Sequence, residues 1–190
     1  DNENIFLNSL NMSHYYHTGK KEWQYQLLKN SICAMESLKR ATNLMLNHSQ
    51  TPDYVIFVRP DIKMVSPFPL EQIYGPPKSL APNEILIPSD NSGDGLNDRF
   101  AVTPFSKAHI YGRRVEGLKW YRAHVNFIIA ERYLAYVISR AKLTTRHLMW
   151  PFKLRRYSKG RPPAPAVNAT SVKKSSVAIT NTTVVFSTSP

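Results

Sequence analysis

The chain has 190 residues, 42% of them hydrophobic and 20% charged. That is enough for one domain with a buried core, and it excludes disorder along the whole length. No run approaches the ~18 consecutive apolar residues that cross a bilayer, and the single cysteine, Cys33, excludes an internal disulfide framework or a multi-cysteine zinc site. Net charge is +12 and unevenly placed: residues 1–106 carry 9 basic and 11 acidic side chains, residues 107–190 carry 16 and 2. A half this basic attracts nucleic acid, an anionic membrane or a phosphorylated small molecule, unless it is only a solvated face. The chain opens on Asp1 with no charged-then-apolar leader, so it reads as a piece of a longer product.

Trp23, Leu27, Leu28, Ile32, Met35, Leu38 and Leu44 recur at helical spacing and predict an amphipathic helix from about Glu22 to Asn47. Thr51-Pro52-Asp53 breaks it. Tyr54–Val58 is a continuous apolar run, the pattern of a strand buried on both faces, and Pro60 ends it. A proline-rich connection leads to a second strand at Ile85–Ile87, a polar loop over Ser89–Gly95, and a third strand at Phe100–Val102. Ser106 is placed to cap a helix reaching Trp120, and Asn126–Lys142 reads as another. From Arg161 the composition shifts to Pro, Ser, Thr, Ala and Val, with ten Ser or Thr among residues 168–190. The division is therefore an α/β layered domain over 1–160 and a flexible Ser/Thr/Pro-rich tail over 161–190, in which 178–186 has strand propensity without an evident partner.

Chemistry concentrates at three places. The Tyr54–Val58 strand delivers Arg59, Pro60 and Asp61 to its carboxyl end, where open α/β sheets bind ligands. Asp61 could hold a hard divalent cation that bridges a diphosphate, and Arg59 could bond a phosphate oxygen. The alternative is that both only hold the strand end through ion pairs. Asn97, Asp98 and Arg99 stand in a row before Phe100, either shaping a sugar pocket or organising the edge across from Asp61, or else anchoring the loop. Glu131 shares a helical face with Phe127, Ala130, Leu134 and Ile138, as a cleft carboxylate or as half of a buried ion pair. Asp90, Ser92, Asp94 and Gly95 imitate the start of an EF-hand loop, but Ala101 stands where the bidentate Glu belongs. His14 and His17 are a weak metal pair, and Cys33 reads as core. No GxSxG, HExxH, GxGxxG or Walker loop occurs, so hydrolase, zinc-protease and dinucleotide readings lack support.

The order of Arg59-Pro60-Asp61-Ile62, Asn97-Asp98-Arg99-Phe100-Ala101-Val102, a helix near Tyr111, Glu131-Arg132-Tyr133-Leu134 and Phe152–Arg156 resembles a eukaryotic and viral family of glycosyltransferase-like proteins, over roughly residues 22–157. The resemblance implies a GT-A-like, Rossmann-like layered sheet with flanking helices that binds a nucleotide-sugar, with Mn²⁺ or Mg²⁺ as cofactor and Asp61 at the metal–diphosphate site. It also implies an incomplete domain, lacking the first strand of such a fold. In GT-A enzymes an Asp-x-Asp triplet holds the metal; here Arg59 replaces its first acid. Asp61, Asp98 and Glu131 are then the catalytic candidates, and Arg59, Asn97, Arg99, Arg155 and Arg156 the donor-binding ones. Arg113 and Arg114 are further candidates at the departing phosphate, with surface charge the preferred reading for both.

The expected reaction is transfer of a sugar from a nucleotide-sugar donor to a glycan or protein acceptor, in the secretory pathway or Golgi lumen, with membrane association through an upstream anchor. The sequons at Asn11, Asn47, Asn168 and Asn181 hint at such a compartment, with a cytoplasmic location as the alternative. Rival readings are a non-catalytic relative that binds sugars or membranes, and a basic nucleic-acid-binding protein. The latter is disfavoured because no recognised DNA or RNA motif is present.

Overall fold

The computed structural model describes Ser9 and residues 22–74, 79–89, 95–122, 128–154, 179–180 and 183–185. Leu28, Ile32, Met35, Leu38 and Met45 bury one face of helix α1, Glu22–Leu46, as their spacing requires. Thr42 is buried on the same helix, its hydroxyl donating to the Leu38 carbonyl at 2.8 Å. The chain then enters strand β1, Tyr54–Val58, whose three central residues are buried. The proline-rich connection holds strand β2, Ile62–Met64, and the one-turn helix α2, Glu71–Tyr74. Strands β3, Glu84–Pro88, and β4, Phe100–Pro104, follow.

The single helix suggested from Ser106 to Trp120 is broken. A 3-10 turn at Phe105–Lys107 leads to helix α3, Ala108–Gly112, then a second 3-10 turn at Arg114–Gly117 and helix α4, Leu118–Arg122. Ser106 caps nothing: Pro104 precedes the first turn, and no side chain bonds there. The interruptions fall at glycines, the weakest helix formers after proline. Gly112 is also required by packing, because a Cβ there would overlap the Thr42 side chain. Helix α5 spans Ala130–Arg140. It stops short of Lys142, whose backbone is left-handed (φ 55°), while the amides of Leu143 and Lys142 return to the carbonyls of Ile138 and Ser139 at 3.1 and 3.0 Å. That is a Schellman ending.

Strand β5, Thr144–Leu148, and β6, Phe152–Leu154, complete the body. Beyond them lie β7, Ile179–Thr180, and β8, Thr183–Val185. The main sheet has the order β5-β3-β4-β1-β8-β7, and β2 pairs with β6 in a separate ribbon. The sheet is mixed: β3 and β5 are parallel, whereas β4 runs antiparallel to both β1 and β3. An α/β class is thus observed.

Within 161–190, read as a flexible tail, the described residues are the two short strands β7 and β8. Val55, Ile56 and Phe57 pair with Val185, Val184 and Thr183 in an antiparallel ladder, and β7 folds back on β8. The outer edge of an otherwise buried strand would leave backbone donors and acceptors unpaired, and a β-branched segment satisfies them. Residues 155–178, 181–182 and 186–190 lie outside the described residues.

Both faces of the sheet are covered. Val55, Phe57, Ile85, Ile87 and Ala101 face a layer formed by α1, α3 and α5. Ile56, Leu86, Phe100 and Val102 point the other way, onto Ile73, Leu148, Trp150 and Phe152. On that side the Trp150 indole donates to the carbonyl of Pro67 at 3.1 Å, so its buried N–H is satisfied. A third cluster, centred on Ile32, Leu118 and Tyr133, joins α1 to α4 and α5. Among the described residues no helix is long and apolar enough to cross a membrane.

Candidate functional site

Two motifs nearly forty residues apart in sequence meet because β1 and β4 are antiparallel neighbours. Val58 is opposite Phe100 at the end of the ladder, so the chain leaving β1 and the chain entering β4 run side by side. One further bond continues the pairing, from the Arg59 amide to the Arg99 carbonyl at 3.0 Å. Arg59 and Asp61 therefore share one sheet edge with Asn97, Asp98 and Arg99, at the carboxyl end of β1.

The loop entering β4 is held from three sides. Asn97 is fully buried, and its side-chain oxygen accepts the Arg99 amide at 3.0 Å, an Asx turn. The Leu96 amide donates to the Glu131 carbonyl at 3.0 Å, and a Cβ at Gly95 would overlap the Glu131 main chain. Tyr111, 2% exposed in α3, donates its hydroxyl to the Asp98 carbonyl at 2.9 Å.

In front of this edge lies a cleft of about 550 Å³, walled on the far side by Leu27, Asn30, Ser31 and Ala34 of α1. Arg59, Asp61, Asp98, Arg99 and Arg114 line it. Arg59 forks onto Asp61, with Nε 3.0 Å from Oδ1 and Nη2 2.7 Å from Oδ2. Its Nη1 stands 3.7 Å from Asp98 Oδ1. Burial works against the guanidinium charge, but the Asp61 bond and the field of Asp98 outweigh it and raise the Arg59 pKa.

Arg114 is the residue that sequence reasoning misplaced. It is 8% exposed, against the surface charge expected for it, while its neighbour Arg113 faces solvent. The Arg114 guanidinium lies 4.3 Å from the Tyr111 ring centroid and donates from Nη1 to the Tyr111 carbonyl at 2.9 Å. Its own carbonyl accepts the Tyr133 hydroxyl. Arg113 instead bonds Asn43 at 2.8 Å and stands 3.9 Å from Glu116. Among the described residues no carboxylate pairs with Arg99 or Arg114. Burial pushes the Tyr111 hydroxyl up to about 12, with Arg114 pulling the other way.

No known family, curated protein or solved structure matches this chain. The site is therefore judged on its own atoms.

Those atoms do not present a ready divalent-cation site. Both Asp61 oxygens are engaged by Arg59, and the other carboxylate at the edge, Asp98, faces the same guanidinium. Among the described residues no group of three or more His, Cys, Asp or Glu side chains gathers that could hold a metal ion by itself. The structural alternative for Arg59 and Asp61, an ion pair at the strand end, is thus realised, and it is realised inside the cleft. Asn97 reaches the edge but shapes the turn and does not line the cleft. Glu131 is half-buried at the start of α5; Ala130 beside it lines the cleft, while Glu131 contributes its backbone carbonyl to the Gly95–Leu96 anchor. Cys33 is only half-buried. Arg155, Arg156, His14, His17 and residues 90–94 lie outside the described residues.

Proposed function

We propose that this chain is a glycosyltransferase-like protein of GT-A-like architecture, whose cleft holds the diphosphate of a nucleotide-sugar while the sugar passes to a glycan or protein acceptor. One observation carries the reading: Arg114, a buried arginine, lines a cleft at the carboxyl end of a central strand, with no carboxylate to balance it among the described residues. A buried charge in that position costs several kcal/mol unless an anion completes it. Arg99 adds a second charge without a paired carboxylate among the described residues, and Arg59, paired with Asp61, is held in place beside them.

The chemistry follows from these groups. As the sugar leaves, negative charge grows on the diphosphate oxygen that held it. Fixed guanidinium donors stabilise that charge without reorganising. Asp61 and Asp98 fix the Arg59 plane, and the α1 wall closes the cleft opposite them.

The engagement of both Asp61 oxygens favours a second reading, a relative that binds the donor without turning it over. Calorimetric titration of the folded chain with a panel of nucleoside-diphosphate sugars, set beside a single-stranded oligonucleotide, tests the proposal. Saturable binding of one nucleotide class at a single site is expected, with weaker oligonucleotide binding that collapses steeply with salt. Tight oligonucleotide binding with no response to any nucleotide-sugar would overturn it. Release of free nucleoside diphosphate on adding acceptor separates the catalytic reading from the binding one.

A further inference from the structure

Resting on that reading, we infer that the cleft takes its diphosphate without a divalent cation, the guanidinium groups of Arg59, Arg99 and Arg114 standing where the metal would. The geometry around Asp61 carries this. A cation bridging protein to diphosphate needs carboxylate oxygens, and hard cations bind through one or two such groups plus the phosphates. Both Asp61 oxygens already accept from Arg59, at 3.0 and 2.7 Å. A cation reaching the remaining lone pairs of Asp61 would stand beside the Arg59 guanidinium, and the two positive charges would repel. Asp98 does not escape the conflict, since its Oδ1 stands 3.7 Å from Arg59 Nη1.

The same arrangement suits a phosphate. The fork uses Nε and one Nη2 hydrogen of Arg59, leaving the other Nη2 hydrogen and the Nη1 group as donors. The plane is locked by Asp61, so little ordering entropy is lost on binding. Arg114 is held against the Tyr111 ring and by the Tyr111 carbonyl, and the Asx turn at Asn97 fixes the backbone from which Arg99 lines the cleft. Three guanidinium charges against two carboxylates leave a net positive cleft, as a diphosphate anion requires. The side chain that displaces the first acid of an Asp-x-Asp triplet thereby supplies the charge the metal would have brought.

The test is titration of inorganic pyrophosphate, and of the best nucleoside diphosphate from the panel, into the full chain in EDTA and again in Mn²⁺. Arg59→Gln and Asp61→Asn are measured beside the wild type, with circular dichroism to show that each is folded. The expected results are binding in EDTA within about threefold of that in Mn²⁺, and a loss of about tenfold or more in Arg59→Gln. Asp61→Asn, which still accepts one guanidinium hydrogen bond, should lose less than Arg59→Gln. Binding that vanishes in EDTA and suffers most from Asp61→Asn would overturn the inference and leave the nucleotide-sugar reading standing. Absence of binding to either ligand in both conditions would overturn both.

Discussion

Arg114→Met is expected to weaken nucleotide-sugar binding about 10- to 100-fold while changing folding stability by no more than about 1 kcal/mol. The two halves of that result have one cause. A hydrogen bond from a charged donor to a charged ligand contributes about 1.5–3 kcal/mol, which sets the affinity loss. Stability behaves differently because Arg114 is buried without a carboxylate among the described residues, so no ion pair repays its desolvation when the cleft is free of anion. Its contact with the Tyr111 ring, worth up to about 2 kcal/mol when desolvated, and its bond to the Tyr111 carbonyl offset that cost. Methionine of similar length removes the penalty and the gains together while filling the space. Equilibrium denaturation and calorimetry read the two quantities separately. A variant that unfolds readily but binds as well as the wild type would place Arg114 in the scaffold alone.

Tyr111→Phe should invert the stability ranking between neutral and alkaline pH. In the folded protein the hydroxyl is held neutral to about 12, mainly by burial, whereas an exposed tyrosine loses its proton near 10. The folded pKa is raised, so this contribution is fully present below pH 10 and is lost as pH climbs from about 10 to about 12, where the unfolded chain ionises and the folded one does not. The loss is about 3 kcal/mol across the window. Phenylalanine carries no such term but forfeits the 2.9 Å bond to the Asp98 carbonyl, a cost of about 1 kcal/mol. The wild type should therefore be more stable than Tyr111→Phe at pH 8 and less stable near pH 11.5, since other titrating groups cancel in the difference. Parallel pH profiles would mean that the Tyr111 hydroxyl is not sequestered. The measurement bears on the site because Tyr111 supports both the Asp98 loop and the Arg114 guanidinium.

What could be read from the sequence was what short-range periodicity encodes. Helix α1 and strands β1, β3 and β4 carry strong apolar patterns and fold close to where those patterns place them. Strand β5 escaped notice because Thr144-Thr145-Arg146-His147 is polar. It is a sheet edge whose side chains stay largely in contact with solvent, and its register beside β3 is supported by the Arg146–Glu84 ion pair. The helix suggested after Ser106 failed at Gly112, where contact with Thr42 of α1 is a tertiary constraint that no local propensity announces.

The candidate site divides along the same line. Arg59, Asp61, Asp98 and Arg99 were recognisable as polar groups at strand ends, and the structure gathers all four in one cleft. That Arg59 would fork onto Asp61 depends on side-chain geometry, and that residues 59–61 would lie against 97–99 depends on an antiparallel register. Neither is written in a local motif. Arg114 was ranked behind Arg155 and Arg156 because Arg113-Arg114 looks like ordinary surface charge. The tight turns around Gly112 send one arginine outward to Asn43 and the other inward under the cleft, and the only sequence signal was the three-residue spacing from Tyr111.

The central claim is that an anionic diphosphate sits in the cleft between α1 and the joined ends of β1 and β4. The most direct measurement is mapping of backbone amide shifts in the ¹⁵N-labelled chain as nucleoside diphosphate is added. The account predicts saturable shifts concentrated at residues 59–61, 97–99 and 111–114, and lost in Arg114→Met. Shifts scattered over exposed basic residues such as Arg113, Lys119 and Arg140, with the cleft unmoved, would contradict it.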